Sequence, residues 1–389
     1  MIEVVAAGHL CLDIIPQLPE GAQFIAGRMV EAGPALFSTG GAVSNTGLAL
    51  HRLGVRVCLA GRTGDDPFGH MVRAIIGRHG NSLTDTIGVN AGESTSYTII
   101  LSPPGDDRTF IHHPGSNATF SAADVADAWL AEARLLHFGY PPLMERMYRN
   151  EAAELLRLLQ RAKTAGAATA IDMTMIDLNG ATGRADWRAI LQRVLPLTDL
   201  FLPSIEELLQ MLAPHHYRRL AATGDVIERI ATDEVAALGR ELLGYGAALV
   251  TVKCGRRGMY LCTADAARFA ALGRGAPDSI TSWANRELWV PCYATEVAGT
   301  TGAGDATIAG LIMGLLRGFD LPAALRAAAA VGACCVEAHD AISGIRDWPA
   351  TQARIAAGWP RLLLPLESPG WQYDPNEELW AGPHDHAAI

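Results

Sequence analysis

The stretch Gly-Thr-Thr-Gly-Ala-Gly-Asp at residues 299–305 combines three glycines with one carboxylate and leads into an apolar run. A glycine-rich turn before a helix leaves several backbone N–H groups unpaired and pointing at one place, where a phosphate can bind. A carboxylate repels such an anion, so Asp305 suits the removal of a proton better than the matching of charge. The pattern therefore predicts phosphoryl transfer onto a hydroxyl group. An ordinary helix start with Asp in its first turn fits the same residues, and other segments must separate the two.

A second glycine pair, Gly40 and Gly41, precedes a helical pattern that contains Asn45. Glycines allow a ligand to approach the backbone closely, and an amide side chain can both donate to and accept from a polyol. A tight loop with a serine N-cap explains these residues equally well. Taken alone, this segment does not decide between the two.

Six segments follow one another in the order GGAVSNTGLALHRLG, GRTGDDPFG, DRTFIHHPGSNATF, DLFLPSIEEL, TVKCGRRG and GTTGAGDA. Over roughly residues 1–345 this series resembles the ribokinase-like (pfkB) carbohydrate kinase family. The resemblance implies a three-layer α/β/α domain with a mainly parallel central sheet and a small β-sheet lid. It also implies an ATP- and Mg²⁺-dependent kinase for a hydroxyl of a sugar, sugar acid, polyol or nucleoside. Residues 346–389 form a Trp/Pro-rich extension without a counterpart in that family.

The resemblance assigns a role to each motif. Asp305 falls on the catalytic base, and the N–H groups of Gly302, Ala303 and Gly304 fall on the anion hole. The expected acceptor contacts are Asp13, Gly40, Gly41 and Asn45. The expected nucleotide contacts are Lys253, Gly255, Gly258 and Thr300, and Glu207 falls on the acid that organises Mg²⁺ through water. Asp13, which is expected to end the first strand, and Lys253 also fit a second interpretation, in which they are solvated residues at strand ends.

Four positions depart from the family pattern. Ser204 replaces the usual Asn before Glu207, which puts the organisation of Mg²⁺ in doubt. Gly299 replaces an Asp that helps to hold potassium in relatives, so we do not expect activation by a monovalent cation. Ala42 and Cys11 replace the Lys and Asn of ribose-phosphorylating relatives, and a site that loses such polar contacts discriminates against ribose.

Composition limits the partners and the compartment. The 389 residues carry a formal net charge of -10 without a dense Lys/Arg cluster, which argues against nucleic-acid and anionic-membrane surfaces. The seven cysteines are scattered without metal-binding spacing and indicate reduced thiols. No basic leader segment or membrane-length apolar run is present, and we expect a cytoplasmic protein with a small-molecule substrate.

Apolar runs that alternate with helical patterns predict a buried, mainly parallel sheet. The expected strands are 2–7, 57–61, 135–139, 167–172, 200–203 and 248–253. The expected helices are 44–53, 66–78, 122–132, 150–165, 205–212, 224–243, 304–317 and 322–337. Closely spaced alternating segments at 22–32 and 94–113, the second with a turn at 103–107, predict the lid, whose strands lie within about 10–35 and 94–116.

Three features leave alternatives open. Residues 263–287 read as a loop between two strands. The tryptophans of the tail can dock on a partner subunit or, as we favour, on their own domain. The lid strands can pair two subunits edge to edge in a homodimer.

A non-catalytic nucleotide- or sugar-binding regulator is the alternative function, and the base at position 305 argues for the kinase. A dehydrogenase and a P-loop enzyme are set aside, because the chain lacks G-x-G-x-x-G after the first strand and G-x-x-x-x-G-K-[ST].

Overall fold

The computed structural model describes residues 2–103, 109–362, 366 and 368–386. Its strands are β1 (Val4–Gly8), β2 (Cys11–Pro16), β3 (Ala35–Gly40), β4 (Val57–Ala60), β5 (Arg62–Gly64), β6 (Gly88–Asn90), β7 (Tyr97–Leu101), β8 (Thr109–His113), β9 (Leu135–Gly139), β10 (Ala168–Asp172), β11 (Leu200–Phe201), β12 (Leu249–Lys253), β13 (Met259–Thr263), β14 (Glu287–Val290), β15 (Gln372–Asp374) and β16 (Leu379–Ala381). Its helices are α1 (Ala42–Arg52), α2 (Pro67–Gly77), α3 (Asp127–Glu132), α4 (Glu145–Thr164), α5 (Trp187–Val194), α6 (Ile205–Leu212), α7 (Pro214–Ala221), α8 (Val226–Arg229), α9 (Thr232–Leu243), α10 (Ala266–Ala270), α11 (Ile280–Trp283), α12 (Ala303–Leu316), α13 (Leu321–Cys335) and α14 (Trp348–Ala356).

The main sheet has the strand order β15-β16-β14-β13-β12-β11-β10-β9-β1-β4. The strands from β4 to β12 pair in parallel, and the pairs from β12 to β15 are antiparallel. Successive residues of β1 contribute to opposite faces: Val4 and Ala6 belong to one apolar cluster, Val5 and Ala7 to the other. Because both faces are covered, these strands read as continuous apolar runs, and the predicted three-layer α/β fold is confirmed.

The lid is a separate sheet with the order β3-β2-β7-β8. The antiparallel pair β7 and β8 agrees with the alternating segment at 94–113, but residues 104–108 of its turn lie outside the described residues. The strand expected at 22–32 was wrong, since these residues form an irregular connection between β2 and β3. Asp13 lies in the lid strand β2 and does not end the first strand as expected, because the chain changes sheets between Gly8 and Cys11.

The helix expected at 224–243 is divided into α8 and α9. Ile230 is buried with an extended backbone, and the Arg257 guanidinium donates to the carbonyl oxygens of Ile227 and Ile230. These bonds satisfy carbonyl groups that a continuous helix would have paired itself. The loop expected at 263–287 is wrong in part, since it contains α10 and α11.

The C-terminal tail packs against its own domain. Its strand β16 pairs with β14 and extends the main sheet. Trp371 makes edge contacts with Tyr260 and Trp289. These contacts agree with the self-docking alternative. Among the described residues, no helix is both long enough and apolar enough to cross a bilayer.

Candidate active site

Four neighbouring parallel strands bring polar residues to one edge of the main sheet. Tyr140 follows β9, Asp172 ends β10, Ser204 follows β11 and Lys253 ends β12. All four line a cleft of about 590 Å³, which we call the cleft. The carboxyl ends of the strands are where open α/β sheets bind ligands, and this volume is in the range of small-molecule sites.

The start of α12 forms one side of the cleft. Gly302, the N-cap residue, has a φ of 75°, and a Cβ there would lie 2.3 Å from the Cβ of Ala341. Glycine is therefore required both by the backbone conformation and by the space. Gly302, Ala303 and Gly304 line the cleft, so the first N–H groups of the helix, which have no acceptor within it, lie at this wall. The Ala303 N–H donates to the Thr300 carbonyl oxygen, which precedes the helix, at a long 3.3 Å. Thr300 lines the cleft beside them.

The Asp305 carboxylate is buried in the first turn of α12, with 4% of its residue surface exposed. Its Oδ1 accepts from the Thr46 hydroxyl (2.9 Å), and its Oδ2 accepts from Asn45 Nδ2 (3.1 Å) and the Tyr140 hydroxyl (2.7 Å). A carboxylate offers about four acceptor positions, two on each oxygen. The described side-chain donors fill both positions on Oδ2 and one on Oδ1, so Oδ1 retains room for one more hydroxyl.

Tyr140 is held in an unusual conformation next to this carboxylate. Its backbone is left-handed, with a φ of 65°, and its N–H donates to the Asp172 carbonyl oxygen (3.1 Å). Burial, followed by the charges of Asp305 and Asp172, raises the pKa of Tyr140 well above its ordinary value. The phenol therefore stays protonated and remains a donor to Asp305.

Lys253 and Asp172 form an ion pair in the cleft, with Nζ 2.8 Å from Oδ1. Burial lowers the pKa of Lys253, but the carboxylates of Asp172 and Glu207 outweigh it, so the net shift is upward and the ammonium stays charged. The Lys253 amine also lies 3.3 Å from where a Cβ of Gly304 would be. The Lys253 cation thus lies at the N-terminal end of α12. Its charge and the positive end of the helix dipole both favour a negative ligand there.

Glu207 lines the cleft and also caps its own helix. Its Oε2 accepts from the Ser204 N–H (2.6 Å), and its own N–H donates to the Ser204 hydroxyl (3.4 Å). This capping box gives the serine at position 204 a structural function. The described residues contain no group of three His, Cys, Asp or Glu side chains that could hold a metal ion. The oxygen donors of Glu207 and Asp172 nevertheless fit Mg²⁺, which usually completes its shell with water and substrate phosphates.

The residues expected to contact the phosphoryl acceptor lie where the lid meets the start of α1. Asp13 is buried, its carboxylate accepts from the Cys11 thiol (3.3 Å), and burial raises its pKa to about 7. A Cβ on Gly40 would lie 2.4 Å from Asp13 Oδ2, and one on Gly41 would lie 2.3 Å from the His9 carbonyl oxygen. The glycine pair is thus needed because Asp13 and His9 occupy the adjacent space.

A buried histidine, His9, and a half-buried one, His112, border this region. Neither ring nitrogen of His9 has a hydrogen-bond partner in the described part of the chain, and the same holds for Nε2 of His112. Their ring centroids are 5.2 Å apart. Burial lowers the pKa of His9 well below its usual value and that of His112 to about 4, so both imidazoles are neutral at pH 7.

On the nucleotide side, Gly255 and Gly258 line the cleft next to β12. Gly258 has a φ of 91°, and a Cβ there would lie 2.1 Å from the Val290 carbonyl oxygen. This turn brings the backbone close to whatever occupies the cleft.

The structure brings most of the expected site residues into one place. Those that line the cleft are Glu207, Lys253, Gly255, Gly258, Thr300, Gly302, Ala303, Gly304 and Asp305. The remaining ones, Asp13, Gly40, Gly41 and Asn45, surround the junction of lid and α1, and Asn45 joins the two groups through its bond to Asp305.

Sequence reasoning missed His9, Thr46, Tyr140 and Asp172. Tyr140 and Asp172 could have been found, because each is a polar residue at the end of a buried run and such ends meet at one sheet edge.

A model of the pfkB family carbohydrate kinases matches residues 1–348, which is most of the chain. The chain belongs to this family. The resemblance carried by the six segments is thereby confirmed. The relatives include fructokinase-1 of Oryza sativa subsp. japonica, 27% identical over 319 residues, with 81% of this chain and 83% of the relative covered. Fructokinase-2 of Solanum habrochaites is 28% identical over 171 residues, and that match spans about half of the relative (49%) and 43% of this chain.

Solved structures agree in fold. A ribokinase of Arabidopsis thaliana in complex with ribose and ATP superimposes with a TM-score of 0.66 at 19% identity, covering 91% of this chain and 98% of the other. A fructokinase of Xylella fastidiosa with bound ATP gives a TM-score of 0.68 at 21% identity, with the same coverage. At these identities the similarity shows the ribokinase-like fold.

Proposed function

We propose that this family member is an ATP-dependent small-molecule kinase that transfers the γ-phosphoryl group to a hydroxyl of a sugar-like acceptor. The observation that carries the proposal is the carboxylate of Asp305, which lies in the first turn of α12 beside glycine-rich backbone donors and the half-buried ammonium of Lys253. A base next to an anion site has a use when an alcohol loses its proton as a phosphoryl group arrives.

The acceptor hydroxyl donates to the vacant position on Asp305 Oδ1 and transfers its proton there as its oxygen bonds to the γ-phosphorus. The bond from that phosphorus to the β–γ bridging oxygen breaks in the same transfer, and ADP leaves. The carboxylate is held by Asn45, Thr46 and Tyr140, so that the vacant acceptor position on Oδ1 keeps one orientation. The backbone N–H groups of Gly302, Ala303 and Gly304 stabilise the negative charge on the transferred group. Positioning and charge stabilisation account for most of the rate in such reactions.

The charged ammonium of Lys253 pairs with the nucleotide phosphates and exchanges part of its contact with Asp172 for them. Glu207 and Asp172 would hold Mg²⁺ through water, and the ion would neutralise charge between the phosphates. Because position 299 is a glycine, we expect no requirement for potassium.

The acceptor class follows from the side chains near Asp13. Asp13 accepts hydrogen bonds from hydroxyls, and the unpaired nitrogens of His9 and His112 can donate or accept when neutral. Sugars, sugar acids, polyols and nucleosides remain the candidates, and Ala42 with Cys11 makes ribose a poor one.

The seven cysteines are all free thiols in the structure, which supports a protein that works in the reducing cytoplasm. The exposed apolar residues on the lid strands support a homodimer formed through the lid.

The decisive experiment measures ADP release with a panel of sugars, sugar acids, polyols and nucleosides, with Mg²⁺ and with or without K⁺. Once an acceptor is known, Asp305→Asn is expected to lower kcat at least 10²-fold, on the order of general base catalysis, while ATP binding changes less than about twofold. Full activity of the variant would remove the base assignment. A wild-type protein that binds ATP but phosphorylates none of the panel would instead support the regulator.

A further inference from the structure

The tail contributes to the wall of the cleft although the family match ends at residue 348. Leu362 lines the cleft, and its N–H donates to the Cys292 carbonyl oxygen (2.8 Å). The Ala294 N–H donates to the Pro360 carbonyl oxygen (2.9 Å), and Tyr293 pairs with Arg361 in an antiparallel bridge. Residues 359–362 therefore pair like a short strand with residues 291–294, which follow β14.

The tail also holds Tyr293, another residue of the cleft wall. The Trp359 ring stacks on the Tyr293 ring with centroids 4.5 Å apart and an angle of 26°. The Arg361 guanidinium carbon lies 3.6 Å from the centroid of the Tyr293 ring. Arg361 is itself fixed by Glu378 (3.0 Å) and by the Pro291 carbonyl oxygen (3.1 Å). Tyr293 is thus clamped between two tail residues, a stack that stabilises one orientation of its ring.

The surroundings of Leu362 differ from the catalytic part of the cleft. Cys292, to which Leu362 bonds, has its thiol 3.4 Å from the Gly255 carbonyl oxygen, and the Cβ position of Gly255 lies 2.9 Å from Ile227. The apolar residues of the cleft wall include Ile227, Val290, Val297, Val336 and Leu362. Asp172, Lys253, Gly304 and Asp305 meet around the start of α12 instead. The cleft thus has an apolar part next to a polar part that suits phosphates. An apolar part in this position suits a flat heterocyclic base.

Tyr293 brings a polar group to this wall. The Tyr293 hydroxyl is buried and makes no hydrogen bond within the described part of the chain, and Tyr293 is 2% exposed. A buried hydroxyl without a partner costs free energy, and a ligand that supplies the missing hydrogen bond recovers it. The polar edge of a nucleobase has suitable donors and acceptors.

We propose that residues 359–362 of the C-terminal tail form one wall of the nucleotide-base subsite, with Leu362 in contact with the base and Trp359 and Arg361 holding Tyr293 against it. The inference rests on the proposed function in that it takes ATP as the donor. It assigns the extension a part in nucleotide binding, where the family match assigns it none.

The test compares ATP with inorganic tripolyphosphate, a probe that has phosphates but no base. Leu362→Ala and Trp359→Ala are each expected to weaken ATP binding at least fivefold in calorimetry and to leave tripolyphosphate binding within twofold. Their KM for ATP should rise by a similar factor, with the acceptor KM unchanged. Trp380→Ala is the matched control, because this tail tryptophan packs on Tyr373 outside the cleft lining. It should lower the Tm without changing the affinity for ATP.

Unchanged ATP binding in Leu362→Ala, or equal weakening of both probes, would overturn the inference while leaving the kinase proposal intact. A wild-type protein that binds ATP but transfers no phosphoryl group would overturn the kinase proposal, and the two-probe comparison would still test the base subsite. A wild-type protein that binds no ATP would overturn both.

Discussion

Two buried aspartates have opposite surroundings in this protein. Asp305 accepts hydrogen bonds from three side chains, whereas the carboxylate of Asp13 accepts from one thiol. Hydrogen bonds favour the charged form of a carboxylate, and burial without them favours the neutral form. The same residue type is suited to two tasks: Asp305 is a base that three donors hold in place, and Asp13 is an acceptor site whose carboxylate accepts only from the Cys11 thiol among the described side chains until a polyol binds.

The Tyr140 hydroxyl is expected to position the base. In Tyr140→Phe, one donor to Asp305 Oδ2 is lost and the carboxylate can rotate, which should lower kcat about tenfold, as for one charged hydrogen bond. Both KM values should stay within about twofold of the wild type. Steady-state kinetics checks this split. Tyr245→Phe is the control, since that hydroxyl donates to Glu241 away from the cleft. Equal losses in both variants would contradict the assignment.

The burial of Asp13 predicts that the free energy of unfolding depends on pH. Its pKa is about 7 in the folded protein and close to its ordinary value of 3.8 when unfolded. Between these values the folded state keeps a proton that the unfolded state releases, so stability falls as the pH rises from about 4 to about 7 and then levels off. Asn cannot ionise. The unfolding free energy of Asp13→Asn minus that of the wild type should therefore grow by on the order of 4 kcal/mol over this range. Denaturant unfolding at several pH values measures it, and a difference independent of pH would contradict it.

At the level of elements, α12 is the part that unites the site. Its N-terminus lines the cleft, and its buried body lies against the apolar core, so that its first turn cannot shift independently. The Asn45 and Thr46 side chains tie α1 to Asp305 across the core. The geometry of the base is therefore set by how two helices pack, and each helix alone would leave its polar groups without the correct partner.

The start of α12 is expected to tolerate no side chain at position 302. In Gly302→Ala the new Cβ would lie 2.3 Å from the Cβ and 2.7 Å from the Cα of Ala341, so the backbone must move. Gly21→Ala is the control, because Gly21 also has a positive φ (68°) but no described atom lies within 4 Å of where its Cβ would be. The variant at 302 should lose about 1–3 kcal/mol more unfolding free energy than the control and should also lose activity. Chemical denaturation compares them, and equal losses would show that the space around Gly302 is not limiting.

On the scale of the whole molecule, the lid has a surface that the rest of the domain leaves uncovered. Its two edge strands are β3 and β8, and Leu36, Phe37, Phe110 and Ile111 on them are 43–55% exposed. Apolar side chains on open sheet edges favour pairing with another chain.

We expect a dimer in light scattering after size exclusion. Phe37→Glu with Ile111→Glu should convert it to a monomer, because each charge would be buried at the edge of the interface. Val89→Glu is the control, since Val89 is 47% exposed on β6, outside the lid. A wild-type monomer at micromolar concentration would refute the lid dimer.

Local patterns were sufficient to predict the alternation of strands and helices in the domain, because buried parallel strands are continuous apolar runs and helices repeat every three to four residues. The glycine-rich motifs and their order were likewise enough to identify the family and nine of the residues that line the cleft, although Tyr140 and Asp172, which also line it, were missed. The lid was harder. Residues 22–32 alternate like a strand, but they are mostly exposed and no strand among the described residues pairs with them.

Contacts between distant residues required the folded chain. The bond between Tyr140 and Asp305 joins residues 165 positions apart, and nothing local to either residue indicates the other. The stacking of Trp359 on Tyr293, which brings the tail to the cleft, likewise joins residues that have no local sign of each other. Residue types and short-range spacing reveal which chemistry a chain can carry, whereas the hydrogen bonds and burial that activate it depend on packing between elements far apart in sequence.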